Sequence, residues 1–163
     1  MLELKFARLR EGAVIPSKRK EDAGYDIYPC INKDIPYLPI NPHCTMLIPT
    51  GIASVIPEGY YMQIEERGST GSKGIKKSAG VIDSGYRGEW FIAITNANNV
   101  PIYIENVPGS AKGLEGIAYP AEKAIAQAVL HRVIEAEVTE ITPEQLKDHS
   151  SERGDGALGS SRK

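Results

Sequence analysis

Residues 44–64 read CTMLIPTGIASVIPEGYYMQI and decide the fold class. The runs 44–49, 52–56 and 60–64 are rich in β-branched and aromatic residues, and Pro-Thr-Gly and Pro-Glu-Gly turns separate them. Short runs of this composition between turn signals are typical of β-strands, because Val, Ile and Tyr suit a pleated surface while Gly and Pro interrupt helices. The stretch therefore predicts three consecutive strands.

The same pattern extends outward in both directions. Sixteen Gly and eleven Pro among 163 residues argue against long helices. Leu2, Leu4 and Phe6 alternate with charged residues, as in a half-buried strand, and residues 121–133 suit a strand or an amphipathic helix, with strand preferred. Several short strands at this spacing predict an all-β sandwich or barrel. The further strands are predicted over residues 90–95, 100–104 and 134–138.

The C-terminal part of the chain has a different character. Thr142, Pro143 and Gln145 are suited to the N-cap, first and third positions of a brief helix. Beyond it, residues 149–163 consist mostly of Ser, Gly and charged residues, which bury too little apolar surface to order themselves. We therefore expect one domain over residues 1–148, followed by a mobile arm or a frayed terminus over residues 149–163.

The charge balance narrows the possible partners. Nineteen Lys and Arg against twenty-one Asp and Glu give a net charge of -2, which predicts neither a nucleic-acid nor a membrane partner. The N-terminus carries charged residues in place of the apolar core of a signal peptide. Cys30 and Cys44 could form one disulfide, but two reduced thiols are preferred, and a location in the cytoplasm is expected.

Four segments contain residues that could carry chemistry, namely 22–26, 65–74, 80–89 and 153–163. Segment 65–74 combines two cations, three hydroxyls and three glycines, which together supply the donors that phosphate oxygens require. Each segment alone also fits a plainer structure: an Asp-rich turn, a solvated loop, a simple hairpin and a frayed end. Their order along the chain carries more information than any one of them.

That order resembles the five-motif pattern of the trimeric dUTPases. The matching stretches are Ala23-Gly-Tyr-Asp26, Arg67-Gly-Ser-Thr-Gly71, Gly80-Val-Ile-Asp-Ser-Gly-Tyr-Arg-Gly88, Ile125-Ala-Gln127 and an Arg153 to Ser161 tail. The resemblance implies a distorted jelly-roll-like β-barrel, a homotrimer with shared active sites and a C-terminal arm that completes them. It also implies magnesium-dependent hydrolysis of dUTP to dUMP and pyrophosphate, which keeps uracil out of DNA and supplies dUMP for thymidylate synthesis.

The resemblance also assigns roles to individual residues. Asp83 corresponds to the catalytic carboxylate that activates the attacking water, and Asp26 to a carboxylate that binds the metal through water. Tyr86 corresponds to the aromatic residue that packs on the deoxyribose. The remaining substrate-binding residues are Arg67, Gly68, Ser69 and Gln127 toward the phosphates, Gly80, Val81 and Ile82 toward uracil, and Arg153, Leu158, Gly159, Ser160 and Ser161 on the arm.

Three positions depart from the family pattern. Gly68 stands where Ser is usual, Ala124 where Arg is usual, and Leu158 where an aromatic residue is usual. Two alternative functions are considered. A dCTP deaminase of the same fold would need a glutamate where this chain has Ala93. A non-catalytic dUTP-binding regulatory module would retain the pocket without turnover.

Overall fold

A computed structural model describes residues 2–156, which are built mainly from short β-strands. The all-β fold class is therefore confirmed. The strands are β1 (Lys5–Arg8), β2 (Gly24–Ile27), β3 (Tyr37–Ile40), β4 (Thr45–Pro49), β5 (Ile52–Val55), β6 (Tyr60–Glu65), β7 (Ile75–Lys77), β8 (Val81–Asp83), β9 (Phe91–Asn96), β10 (Ile102–Glu105), β11 (Ile117–Pro120) and β12 (Ala126–Arg132). The helices are α1 (Gly68–Gly71) and α2 (Pro143–Lys147).

The strands pair into four small sheets. Their strand orders are β1-β5, β11-β10-β3, β2-β12-β6-β8 and β4-β9-β7. Among the described pairings, β10 and β11 run parallel and the others antiparallel. In the four-stranded sheet, Gln127 on β12 lies opposite both Asp26 on β2 and Glu65 on β6. This register sets the positions of the polar residues described below.

Successive side chains on β12 and β6 alternate between the buried core and the outer face of the four-stranded sheet. Ala126 and Ala128 are buried, and so are Met62 and Ile64 on the neighbouring β6. The side chains between them, including Gln127, point to the opposite face because successive residues of a strand alternate. Trp90 is fully buried in the same core, and its indole N–H donates to the Ser54 hydroxyl over 3.2 Å.

Most of the strands predicted from composition are confirmed. β4, β5, β6, β9 and β10 agree with the predicted runs to within two residues at each end, and β12 shows that the ambiguous residues 121–133 contain a strand. The brief C-terminal helix is also confirmed as α2. The Thr142 hydroxyl accepts from the backbone N–H of Gln145 over 3.2 Å, and the Gln145 side chain accepts from the N–H of Thr142 over 2.8 Å.

Several local predictions were wrong. Residues 134–138 form no strand: Ile134 and Val138 are 90% and 95% exposed, so their alternation with glutamates has no sheet to face. Residues 24–26, predicted as a turn, belong to β2, where pairing with β12 overrides the turn preference of Gly and Asp. Residues 68–71, predicted as loop, form helix α1, in which the Thr70 hydroxyl accepts from the backbone N–H of Arg67 over 3.1 Å.

The chain divides into two compact units, Met1–Val133 and Ile134–Lys163. The first unit contains all twelve strands of the described residues. Cys30 is buried and Cys44 is exposed, and both thiols are free. No helix within residues 2–156 is long and apolar enough to cross a membrane.

Gly51 connects β4 to β5 in a conformation that other residues adopt poorly. Its φ is 66°, and an added Cβ would lie 2.9 Å from the Ala13 Cβ and 3.0 Å from the Cys30 Sγ. We therefore expect Gly51→Ala to lower the free energy of unfolding by about 2–4 kcal/mol, through backbone strain and overpacking. Urea denaturation followed by Trp90 fluorescence measures this loss.

The matched control is Gly68→Ala, because a Cβ at that position meets nothing within 4 Å. Its urea midpoint should stay close to that of the unmodified chain. Equal midpoints for the two variants would contradict the assignment of strain to Gly51.

Candidate functional site

Five of the predicted site residues meet in one cleft of about 900 Å³ on the first unit. They are Asp26, Arg67, Gly68, Ser69 and Gln127. Strand β2 supplies Asp26, the junction of β6 with α1 supplies Arg67, and β12 supplies Gln127. A cleft of this size accommodates a ligand as large as a nucleotide.

The Arg67 guanidinium is held by three groups. Its Nε donates to Asp26 Oδ1 over 2.9 Å and its Nη2 to Asp26 Oδ2 over 3.4 Å. Its Nη1 donates to the Ala124 carbonyl over 3.2 Å and to the Ser69 hydroxyl over 3.4 Å. Asp26 and Arg67 are each about one-third exposed, so the pair forms part of the cleft wall that a ligand would contact. Arginine binds oxyanions through paired N–H groups of this kind.

Gln127 is fixed beside this ion pair. Its Nε2 donates to the Glu66 carbonyl over 2.8 Å, which orients the side chain across the end of β6. Because Gln127 lies opposite Asp26 in the sheet, their side chains share the outer face. The cleft therefore presents a guanidinium, a carboxylate and an amide on adjoining strands.

A loop that carries both basic and acidic side chains also lines the cleft. Arg19 Nε donates to Asp22 Oδ2 over 2.9 Å, and Lys18 Nζ donates to the Asp22 carbonyl over 2.7 Å. The hydrogen bond from Arg19 lowers the pKa of Asp22 below its ordinary value. Lys18 and Arg19 were not identified from the sequence as site residues, although three consecutive cations at 18–20 were a visible signal.

The donor set at the cleft is suited to magnesium that arrives with a phosphate ligand. Among residues 2–156, no group of three or more His, Cys, Asp or Glu side chains is placed to hold an ion by itself. Magnesium keeps several waters and commonly binds through one or two carboxylates together with substrate phosphates. Asp26 and Asp22, which both line the cleft, are carboxylates of the required kind.

A second group of predicted residues surrounds a smaller cavity of about 200 Å³. Strand β8 and the turn after it supply Val81, Ile82, Asp83 and Tyr86, and Glu89 and Phe91 complete the lining. β8 pairs with β6, whereas β9 belongs to another sheet, so residues 80–89 do not form the predicted simple hairpin. The turn itself is present, with the Tyr86 N–H donating to the Asp83 carbonyl over 3.1 Å.

The residues of this turn hold Tyr86 in place. The Tyr86 hydroxyl donates to the Glu89 carbonyl over 2.9 Å, and Arg87 Nη1 donates to the Ser84 carbonyl over 2.6 Å. The tyrosine ring lies against Gly88, where an added Cβ would be 2.7 Å from the Tyr86 Cζ. Gly88 therefore provides the space that the ring occupies.

The two groups of residues are well separated within one chain. In the four-stranded sheet, Asp26 lies opposite Gln127, which lies opposite Glu65 on β6. Asp83 lies opposite Tyr61, which precedes Glu65 by four residues on the same strand. Asp26 and Asp83 are also three strand spacings apart in the sheet. Ordinary strand dimensions place their Cα atoms about 20 Å apart. A single chain thus does not bring Asp83 into contact with the Asp26–Arg67 cleft.

The remaining predicted residues lie in other parts of the chain. Arg153 belongs to the second unit, where its Nε donates to the Gly156 carbonyl over 2.9 Å. Leu158, Gly159, Ser160 and Ser161 lie outside the described residues, so their role in a closing arm stays a prediction. Ala93, at the position where a deaminase would need glutamate, is buried on β9.

The fold and the cleft together define an all-β protein with an arginine-lined cleft whose donors are of the kind that bind oxyanions. Comparison with known proteins makes this assignment specific. The family model described as dUTPase matches residues 10–108. A deoxyuridine 5'-triphosphate nucleotidohydrolase of Nautilia profundicola is 34% identical over 166 residues, which cover 99% of this chain and 100% of that protein. The chain belongs to the dUTPase family.

Solved structures agree with this assignment. A mutant dUTPase of Staphylococcus bacteriophage 80alpha with dUpNHpp is 26% identical, with a TM-score of 0.74 over 98% of both chains. A mutant dUTPase from phage phi11 of S. aureus is 24% identical, with a TM-score of 0.67 over 85% of this chain and 96% of that one. The latter supports the fold, and its description refers to the coordination of a structural Mg(II) ion.

Proposed function

We propose that the chain hydrolyses dUTP to dUMP and pyrophosphate. The observation that carries the proposal is the Asp26–Arg67–Gln127 cleft, present together with the Asp83–Tyr86 group in a member of the dUTPase family. The relative from Nautilia profundicola has this activity in its name and aligns along the full length.

The cleft is the proposed site for the phosphates. The triphosphate carries several negative charges, and Arg67 offers paired N–H groups beside the Ser69 hydroxyl. Phosphate oxygens would compete with the Asp26 carboxylate for the Arg67 guanidinium. At least one Asp26 oxygen would then lose its hydrogen bond to Arg67 and become free to bind another group. Asp26, assisted by Asp22, would then be available to hold the water shell of magnesium. The ion supplies charge neutralisation at the phosphate oxygens when it is bound.

Asp83 is the proposed general base. A bond forms between the oxygen of a water molecule and the α-phosphorus, and the bond from that phosphorus to the bridging oxygen of pyrophosphate breaks. The carboxylate of Asp83 accepts the proton that the water loses. Such proton transfer typically accelerates a reaction by ~10²–10⁴-fold.

The segment Gly80–Tyr86 is the proposed site for the nucleoside. The Gly80 carbonyl accepts from the Ile64 N–H over 2.7 Å, so Gly80 and Ile82 bond to β6 and Val81 between them presents its N–H donor and carbonyl acceptor away from β6, where they could pair with the edge of uracil. The Tyr86 ring, anchored through its hydroxyl to the Glu89 carbonyl, would pack on the deoxyribose and leave no room for a 2′-hydroxyl. A buried Ala93 gives no carboxylate to transfer protons to a cytosine amino group.

We further propose that the active site is shared between subunits of a homotrimer. The separation of about 20 Å between Asp26 and Asp83 supports this proposal, because strand geometry keeps the two groups apart in one chain. A second subunit could place its Asp83 group over the Arg67 cleft of the first. The free thiols of Cys30 and Cys44 are consistent with a reducing compartment, and we propose that the enzyme acts in the cytoplasm.

Replacement of Asp83 tests the reaction. With magnesium, the unmodified chain should release pyrophosphate from dUTP and no ammonia from dCTP. Asp83→Asn should bind a non-hydrolysable dUTP analogue normally but lose ~10²–10⁴-fold in turnover, because an amide does not accept the proton of the water. Asp34→Asn, at an exposed turn, is the matched control. Near-normal turnover by Asp83→Asn would refute the assigned role.

Mixing two inactive variants tests the shared site. Asp83→Asn and Arg67→Ala should each be inactive alone. After denaturation and refolding together in equal amounts, about a quarter of the sites should contain both native residues if the two come from different chains of a closed assembly. Recovery of dUTP hydrolysis in the mixture, followed by pyrophosphate release, measures this fraction. Persistent inactivity of mixed trimers would mean that one chain supplies both residues.

Gly88→Ala tests the position of Tyr86. The added methyl group would displace the ring, so the ratio of kcat/KM for dUTP to that for UTP should fall by about 10-fold or more, as expected for a lost steric exclusion worth ~1–3 kcal/mol. Gly85→Ala, in the same turn, adds a methyl group that meets nothing within 4 Å and serves as the control. Unchanged discrimination by Gly88→Ala would show that the ring position does not exclude the ribose.

A further inference from the structure

Tyr119 is a buried residue outside the lining of the Asp26–Arg67–Gln127 cleft and belongs to none of the stretches identified from the sequence. It is on β11, in the part of the chain that precedes Ile125-Ala-Gln127, and only 1% of it is exposed. Its hydroxyl donates to the Ala124 carbonyl over 2.7 Å. This is a short hydrogen bond between two buried residues.

The same carbonyl links Tyr119 to the guanidinium in the cleft. Arg67 Nη1 donates to the Ala124 carbonyl over 3.2 Å. A carbonyl oxygen has two lone pairs and accepts two hydrogen bonds, so the phenol and the guanidinium bond to a single acceptor. The position of that oxygen therefore fixes both groups relative to each other.

The surroundings keep the phenol in its donating form. Burial raises the pKa of Tyr119, while the nearby Ser69 hydroxyl and the charge of Arg67 oppose this rise. The phenol is consequently protonated throughout the neutral range and donates to Ala124. Ser69 and Arg67 also line the cleft, and the Ala124 carbonyl joins Tyr119 to the Arg67 side of it.

The anchor at Ala124 differs from the anchor at Asp26. Asp26 is a charged partner for which phosphate oxygens and magnesium compete, whereas the Ala124 carbonyl is neutral and buried. When a ligand draws the guanidinium away from Asp26, the bond to Ala124 is the contact that can persist. We infer that Tyr119 is a positioning residue, which holds the Ala124 carbonyl so that Arg67 stays aimed at the phosphates. This inference rests on the proposed function.

Tyr119→Phe removes the hydroxyl and keeps the ring. The Ala124 carbonyl keeps Arg67 as a donor, so no buried acceptor is left unpaired, and the fold should persist by circular dichroism. We expect binding of dUpNHpp to weaken roughly 3- to 10-fold, the range that loss of one hydrogen bond gives. Binding of deoxyuridine, which has no phosphate, should be unchanged. Isothermal titration calorimetry measures both.

A double-mutant cycle separates positioning from a general structural effect. In the Arg67→Ala background, adding Tyr119→Phe removes both donors from the Ala124 carbonyl, so folding is checked by circular dichroism. There Tyr119→Phe should weaken dUpNHpp binding by less than about 2-fold, because the group that Tyr119 positions is absent. The matched control is Tyr103→Phe on β10. Ile104 lies opposite Tyr119 in the β10–β11 pair, so the side chains of these two residues share a face of the sheet. Tyr103 precedes Ile104 on the same strand, and its side chain therefore points to the other face. This control should leave both affinities unchanged.

The outcomes distinguish this inference from the proposed function. A wild-type chain that does not hydrolyse dUTP contradicts the proposed function itself. A wild-type chain that hydrolyses dUTP, with the same loss from Tyr119→Phe in both backgrounds, contradicts only the positioning role. An equal loss of deoxyuridine binding would likewise overturn it.

Discussion

The register of β12 between β2 and β6 is the constraint on which the phosphate cleft depends. It places Gln127 opposite Asp26 on one side and Glu65 on the other, and Arg67 follows two residues after Glu65. Because side chains alternate along a strand, a slip of one residue would turn Gln127 into the core and expose Ala128. The packing of small and aliphatic residues on the inner face thus fixes the polar arrangement on the outer face.

Composition predicted the fold class where strands consist of β-branched and aromatic residues, as in β4, β5 and β6. It missed β2, whose sequence Gly-Tyr-Asp-Ile suits a turn, because pairing with β12 is a long-range contact that local propensity does not encode. Residues 134–138 show the converse error. Their alternation satisfies the local rule for a strand, but no partner strand within residues 2–156 faces them.

The order of motifs identified the candidate site residues without showing how they are distributed. The sequence placed Asp26, Arg67 and Asp83 in one list, whereas the structure assigns Asp83 to a separate group at the far end of the sheet. Tyr119 was missed for a different reason. Tyr119 acts through the backbone carbonyl of Ala124. Every residue has such a carbonyl, so no pattern of side chains in the sequence indicates this contact.

The exposed residues 134–138 have a consequence for colloidal behaviour. Ile134, Ala136 and Val138 alternate with glutamates in the sequence, and in an extended conformation they would share one side that could pair with identical copies. Glu135 and Glu137 stand between them, and stacking of identical segments would bring these negative charges into repulsive rows. Glutamates in these positions would oppose fibrillar self-association at this part of the chain.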